Sequence, residues 1–431
     1  MLQQIEAIGQ EFHEATKHSY LSVMMDPNYI DASTQPSVFK RYPHFYQRFP
    51  LDPDNPIHCF IRLTSSITWK KFAGNNSYFL RVNPSAGALY PTEIYVQIRG
   101  VKGFVDGLYH LEVQNNCLTL IYELVDDGID NYVLHQQLVK GFIFLVSCAY
   151  FRSSWKYKNR SLRYCFLDSG HHLGTIEASA YLYQQNIKAI FEFDKRGLNQ
   201  VLGLENQEFI TAAVVSGHLK DKPVKRLRSQ LPFVAATDYF EANPFVEEGY
   251  KSTVVPTHLT NISQVKVPGF KFDHDHFYQT VLQRRSARFF GKQVITKFEF
   301  SQILAYLDYP LNTDSLERIE IYSIINRVEG MQKGVYQGEK LIKTDDFSEK
   351  AGYLCINQAL ARDSAVTFFF VCDYRNYQTA MQWVGWLGHR LYLISNYLNI
   401  GCSGIGAYYD DETQEFLETP KPVLYGMAIG R

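Results

Sequence analysis

Net charge is almost absent from this 431-residue chain: 43 Lys and Arg stand against 44 Asp and Glu, leaving −1. That balance argues against a dedicated nucleic-acid partner, which needs a basic face. Long hydrophobic runs are also missing. The longest, G-F-I-F-L-V-S-C-A-Y-F from Gly141, is too short to span a bilayer, so no membrane partner is expected. The opening M-L-Q-Q-I-E-A-I-G-Q-E-F-H carries acidic residues and no apolar core, unlike a secretory signal. Cysteine is sparse and odd in number, at positions 59, 117, 148, 165, 355, 372 and 402, with no C-x-x-C pair. A disulfide scaffold and a structural zinc site are therefore not expected, and buried thiols in a reducing cytoplasm are. No H-E-x-x-H occurs, and Asp273-His274-Asp275-His276 reads as a solvated or capping string, so no metal is expected. No G-x-G-x-x-G follows a strand pattern, which leaves no dinucleotide-binding domain.

What is present is a globular composition, 46% hydrophobic and 20% charged, with 30 Tyr and 30 Phe. Such aromatic content suits a large core or a stacking pocket. The most informative feature is an internal repeat. E-I-Y-V-Q-I-R-G from Glu93 matches E-I-Y-S-I-I-N-R from Glu320, and F-I-F-L-V-S-C-A-Y from Phe142 matches A-V-T-F-F-F-V-C-D-Y from Ala365. S-G-H-H-L-G-T-I-E from Ser169 matches L-G-H-R-L-Y-L-I-S from Leu387, and V-V-S-G-H ending at His218 matches M-A-I-G-R ending at Arg431. Strand, strand, helix and strand recur in one order, which predicts a tandem duplication of an α+β domain. The expected organisation is an N-terminal extension (1–60), a first repeat (61–218), a wrapping connector rich in proline (219–275) and a second repeat (276–431). Turns are expected at D-P-N-Y, T-Q-P-S and L-D-P-D-N-P in the extension.

Four segments carry chemistry. In Q-R-R-S-A-R-F-F, the alternating Arg284, Ser286 and Arg288 face one way if extended and make a phosphate clamp; a basic surface patch is the plainer alternative. Pro84-Ser85-Ala86-Gly87 is a small-residue turn feeding a strand, open to a flat ligand or simply a turn. Gly401, Gly404 and Gly406 in N-I-G-C-S-G-I-G-A-Y-Y-D-D-E expose backbone N–H groups able to stabilise charge on a cofactor ring, and one of them also suits a helix C-cap. In W-K-Y-K-N-R-S-L-R-Y-C-F-L-D-S-G-H-H, Lys156 and Tyr157 are adjacent proton carriers. Crowding by Lys158, Arg160 and Arg163 would favour a neutral Lys156, unless the cluster is a solvated helix start.

Together these segments resemble the nitroreductase-like flavin proteins, and more closely the SagB/ThcOx-type FMN-dependent dehydrogenases that oxidise azoline rings in ribosomally made peptides. The strings that carry the resemblance are F-H-E-A-T-K-H-S near Phe12, P-S-A-G-A-L-Y-P, W-K-Y-K-N-R-S-L-R-Y-x-x-L-D-S-G-H and G-x-S-G-I-G-A-Y-Y-D-D-E. R-R-S-A-R-F-F is the broader nitroreductase phosphate motif. The resemblance implies an α+β fold, each repeat a mainly antiparallel sheet flanked by helices, the two forming an intramolecular pseudo-dimer. The first repeat has P-S-A-G where the second has N-T-D-S. The second has R-R-S-A-R and G-I-G-A where the first has S-S-I-T-W-K-K-F and K-A-I-F-E-F-D. One complete FMN site and one decayed site are therefore expected.

The roles that the resemblance implies are specific. Arg284, Ser286 and Arg288 bind the FMN phosphate, and Arg431 adds a further cation. Pro84, Ser85, Ala86 and Gly87 pack on the isoalloxazine. Backbone around Ile405 and Gly406 lies near flavin N5, and Asn357 and Gln358 supply a flavin-contacting amide. Lys156 or Tyr157 takes the carbon-bound proton while hydride goes to N5, and O2 reoxidises the flavin. The substrate is a small molecule or modified peptide, a cyclodehydratase complex is a candidate partner, and the pseudo-dimer could pair again. Two alternatives are a reductase of nitro or quinone groups driven by NAD(P)H, and an inactive flavin-fold scaffold of a biosynthetic complex.

Overall fold

The computed structural model describes residues 2–26, 30–73, 76–255, 257–262 and 264–431. The expected D-P-N-Y turn and Pro256 of the connector lie wholly or partly outside the described residues. The chain forms two compact units. The larger comprises Asp31–His274 with Leu311–Leu316, and the smaller comprises Met1–Ile30, Asp275–Pro310 and Glu317–Arg431.

The larger unit holds a seven-stranded sheet. Its strands lie in the order Arg48–Pro50, Cys117–Glu123, Gly107–Glu112, Thr92–Arg99, Gln137–Cys148, Phe209–Asp221, Lys188–Ile190. Every pairing is antiparallel. The long interior strand Gln137–Cys148 is buried along F-I-F-L-V-S-C. It reads as a continuous apolar run because both faces are covered, rather than as the alternation of a half-solvated strand. The helix Ser161–Leu182 is buried along its whole length, although it carries Arg163, Asp168, His171, His172 and Glu177. Such a helix is placed by tertiary packing and by internal partners for its polar groups, not by an amphipathic stripe. Asp31–His274 also contains a helix in its proline-rich part, Pro244–Thr253, where Asn243 caps the Val246 N–H and proline takes the first turn.

The smaller unit holds a six-stranded antiparallel sheet in the order Lys340–Thr344, Gly334–Gln337, Glu320–Ile325, Val366–Val371, Val423–Gly430, Gly401–Ile405. Numbering these strands one to six along the chain gives 3-2-1-4-6-5. The last six strands of the larger sheet run in the same order. Its long buried helix is Tyr377–Tyr397. The N-terminal helix Leu2–Glu14 belongs to this unit. His13 Nδ1 lies 3.3 Å from the Tyr377 hydroxyl, the His18 N–H donates to Asp410 at 2.8 Å, and Lys17 pairs with Asp411 at 2.7 Å. The F-H-E-A-T-K-H-S string thus docks on Y-Y-D-D-E. No helix among the described residues is long and apolar enough to cross a membrane.

Phe144 is fully buried on the interior strand Gln137–Cys148, with its ring 5.4 Å from Phe60 and 5.9 Å from Phe142. Truncation by F144A is expected to cost about 3–5 kcal/mol, measured as a lowered midpoint in denaturant unfolding with an unchanged slope.

Candidate functional site

The sequence segments assemble into two clusters, one in each unit. In the larger unit the P-S-A-G turn and the Lys-Tyr pair meet. Gly87 adopts φ +63°, and a methyl group added there would stand 2.7 Å from the Tyr157 hydroxyl and 3.4 Å from the Lys156 ammonium. Glycine is required twice over, by the left-handed backbone and by this close approach. Ala88 (φ 55°), Tyr90 (φ 44°) and Lys158 (φ 47°) share that backbone region without being glycine. Strain of this kind persists where surrounding bonds over-determine it.

One of those bonds comes from a residue that the motif reading did not single out. Asp168, buried on the long helix, accepts the Ser85 hydroxyl at 2.5 Å and the Ala86 N–H at 3.3 Å. Ser85 Oγ in turn accepts the Tyr90 N–H at 2.9 Å. Burial raises the Asp168 carboxyl from 3.8 to about 7, against the two hydrogen bonds that lower it. Burial likewise pushes the Tyr157 phenol well above its usual value, with Tyr164 and Asp168 adding to the rise. The Tyr157 and Tyr164 rings meet edge-on at 4.5 Å. Lys156 is exposed, with its ammonium 5.4 Å from the Tyr157 ring centre. Lys158 is exposed too, whereas Arg160 and Arg163 are buried. The crowd of cations inferred from sequence proximity is therefore divided between surface and interior. Asp168 stands among other polar residues in L-D-S-G-H-H, so only its burial and its partners reveal the role.

In the smaller unit the clamp and the glycine-rich segment meet on one phenol. Arg284 is buried, with its guanidinium carbon 5.2 Å from the Tyr392 ring centre. Ser286 Oγ lies 2.9 Å from the Tyr392 hydroxyl, which accepts the Gly404 N–H at 2.6 Å. Tyr392 was also unmarked in the sequence. It sits on the long helix and ties the loop before the sheet to the edge strand Gly401–Ile405. Arg288 is exposed and is not part of this knot. Glycine at 404 is enforced by the Tyr425 hydroxyl, which fills the space a side chain would take. Gln358 Nε2 donates to the Ala407 carbonyl at 3.3 Å, beside Gly406, while Asn357 is exposed with φ 55°. Ile405 is buried and Gly406 half-buried. Arg431 is engaged by the Glu299 carboxylate and donates to the Leu398 carbonyl at 2.8 Å. That pairing draws the Glu299 carboxyl down to about 2.

A cavity of about 510 Å³ in the larger unit is lined by Phe209, Tyr250, Glu208 and Glu247 among others, and by none of the residues expected in the site. Among the described residues no cluster of His, Cys, Asp or Glu could hold a metal ion.

Residues 281–431 match the model of the Nitroreductase family. The fold resembles a putative nitroreductase from Anabaena variabilis, with a TM-score of 0.80 at 24% identity over 98% of this chain and 99% of that one. A curated relative, the putative nitroreductase MJ1384 of Methanocaldococcus jannaschii, is 26% identical over 147 residues, 31% of this chain and 74% of its own length.

The Asp168 carboxyl gives a pH signature with a definite sign. Its folded value lies above the unfolded one, so the unfolded chain releases its proton first. Stability is therefore expected to fall as pH rises from 3.8 towards 7 and to level off above that. D168N should remove this component of the slope in urea unfolding measured across that range; an unchanged slope would disprove the assignment.

Proposed function

We propose that this protein, nitroreductase-like in fold throughout and matching the nitroreductase family over residues 281–431, is an FMN-dependent dehydrogenase. The observation that carries the reading is the meeting of Gly87, Ser85 and Asp168 with Lys156 and Tyr157. A small-residue turn made for a flat ligand and a pair of proton carriers occupy one place.

The residues present fit the cofactor. A guanidinium and a hydroxyl from Arg284 and Ser286, with Arg288 free to swing from solvent, are a donor set suited to a phosphate. Half-buried Gly406 has no side chain to cover its segment against a ring. Bound FMN supplies the hydride acceptor. Lys156 and Tyr157 handle the proton. An exposed amine exchanges protons with water. Tyr157, held in its neutral form, relays the departing proton onward rather than taking it as a free phenolate. Asp168 fixes the turn that both residues face, through Ser85 and Ala86.

A proton carrier and a hydride acceptor are what the aromatisation of an azoline ring needs, in a modified peptide or a related small molecule. The resemblance to SagB/ThcOx-type dehydrogenases supports that substrate class. A complex with a cyclodehydratase would deliver the ring directly, and O2 would serve as the terminal oxidant.

Purified protein should contain one FMN per chain by absorbance after denaturation. R284Q should lose most of that flavin. K156A should keep it and lose about a hundredfold or more in azoline oxidation, the usual scale for a general base or acid. Full turnover by K156A at normal flavin content would overturn the role of Lys156. Rapid reduction by NADPH with no azoline turnover would replace the dehydrogenase with a reductase.

A further inference from the structure

The segment around N-T-D-S, whose residues 311–314 stand in the second half where P-S-A-G stands in the first, does not lie with the second half. Residues 311–316 belong to the larger unit and dock on its edge strand Lys188–Ile190. The Ala189 N–H donates to the Asn312 carbonyl at 2.9 Å, and the Asp314 N–H donates back to the Ala189 carbonyl at 3.2 Å. Ala189 and Thr313 form a parallel bridge, and the Asn312 amide donates to the Ile187 carbonyl at 2.5 Å. The Asp314 carboxylate then accepts the Phe191 N–H at 2.9 and 3.2 Å and the Glu192 N–H at 3.1 Å.

Sheet register identifies those two N–H groups. In the larger sheet Tyr95 pairs with Leu145, Leu145 with Ala213, and Ala213 with Ile190. In the smaller sheet Tyr322 pairs with Phe369, Phe369 with Gly426, and Gly426 with Ile405. Tyr95 and Tyr322 are equivalent in E-I-Y, so Ile190 corresponds to Ile405, Phe191 to Gly406 and Glu192 to Ala407. Counting back six residues from Glu93 and Glu320 pairs Gly87 with Asp314. The carboxylate thus sits on the counterpart of the backbone expected at flavin N5, and it comes from the counterpart of the turn expected on the ring.

The geometry points to an internal plug: Asp314 is a built-in carboxylate ligand that occupies and closes the second, vestigial flavin position of this chain. That last identification rests on the flavin reading above, whereas the carboxylate site itself does not. A ring at this position would meet Phe191 where the other half has Gly406, and it would have to displace two charge-assisted hydrogen bonds. The Lys195 ammonium lies within electrostatic reach of the same segment. It is buried, and no residue among those described hydrogen-bonds it. The charges acting on it are those of Asp314 first and Glu192 second, against a burial that lowers its pKa to about 8. A carboxylate at 314 therefore satisfies two N–H donors and supplies a counter-charge to a buried amine.

The test compares wild type, D314A and the isosteric D314N as full-length protein. Wild type should hold one FMN per chain, and D314A should hold the same. In D314A the Phe191 and Glu192 amides should exchange hydrogen about tenfold faster or more, as expected when a charge-assisted bond is lost. The melting temperature should fall, and sodium formate should restore part of it where sodium chloride at equal concentration does not. D314N, which keeps one acceptor, should lie between. Unchanged exchange and melting in both variants would overturn the plug, as would absence of formate rescue. Two FMN per chain in wild type, or loss of FMN in folded D314N, would show that Asp314 serves an active flavin position. If wild type bound no FMN at all, the flavin reading would fall, and the exchange and formate arms would still decide the carboxylate site.

Discussion

A single buried carboxyl organises the candidate site. Asp168 belongs to a helix with no exposed face, so its position is fixed by the packing of the larger unit's core. From there it holds Ser85 and Ala86, and through Ser85 the amide of Tyr90. Three residues of that turn take left-handed backbone angles. A turn so strained would relax if left to itself, so the hydrogen bonds to Asp168 and the contact with Tyr157 must exceed the strain they hold. Burying the acid is costly, and its raised proton affinity is the mark of that cost.

Tyr392 has the same standing in the smaller unit. Its phenol lies on a long buried helix and is shared by Ser286 and the Gly404 amide, with the Arg284 guanidinium over its ring. In both units a core helix lends one polar side chain to the segments at which a ligand is expected. The loops can then be irregular without being loose, which is how scaffolds carry function on connecting segments.

Much of this was legible in the residues. The apolar runs at 142–150 and 365–374 are buried strands, and the E-I-Y segments are their neighbours, because continuous burial on both faces leaves an unmistakable pattern. The small-residue turn and the Lys-Tyr pair stood out as strings, each open to a plainer reading until the family resemblance was added, and the fold places them side by side. Asp168 and Tyr392 could not, since their importance lies in what they touch far along the chain, and a lone acid or phenol in a helix gives no local signal. Sequence proximity misled in one respect: Lys156, Lys158, Arg160 and Arg163 are neighbours in order but divide between solvent and interior at a change from one helix to the next. The docking of 312–314 on 187–192 was likewise invisible, because strand pairing between distant segments leaves no trace in either one.

The sheet of the larger unit ends in two unlike ways. On one side Arg48–Pro50 pairs with Cys117–Glu123 and brings a proline, which has no amide hydrogen to offer outward. On the other, residues 312–314 run alongside Lys188–Ile190. A sheet with a bare rim is a template on which extended chains accumulate, the first step towards fibrous aggregates. Here that rim is blunted on one side and covered on the other. The chain segment that covers this edge also removes a nucleation surface, so a variant that frees residues 311–316 would be expected to lose solubility before it loses its core.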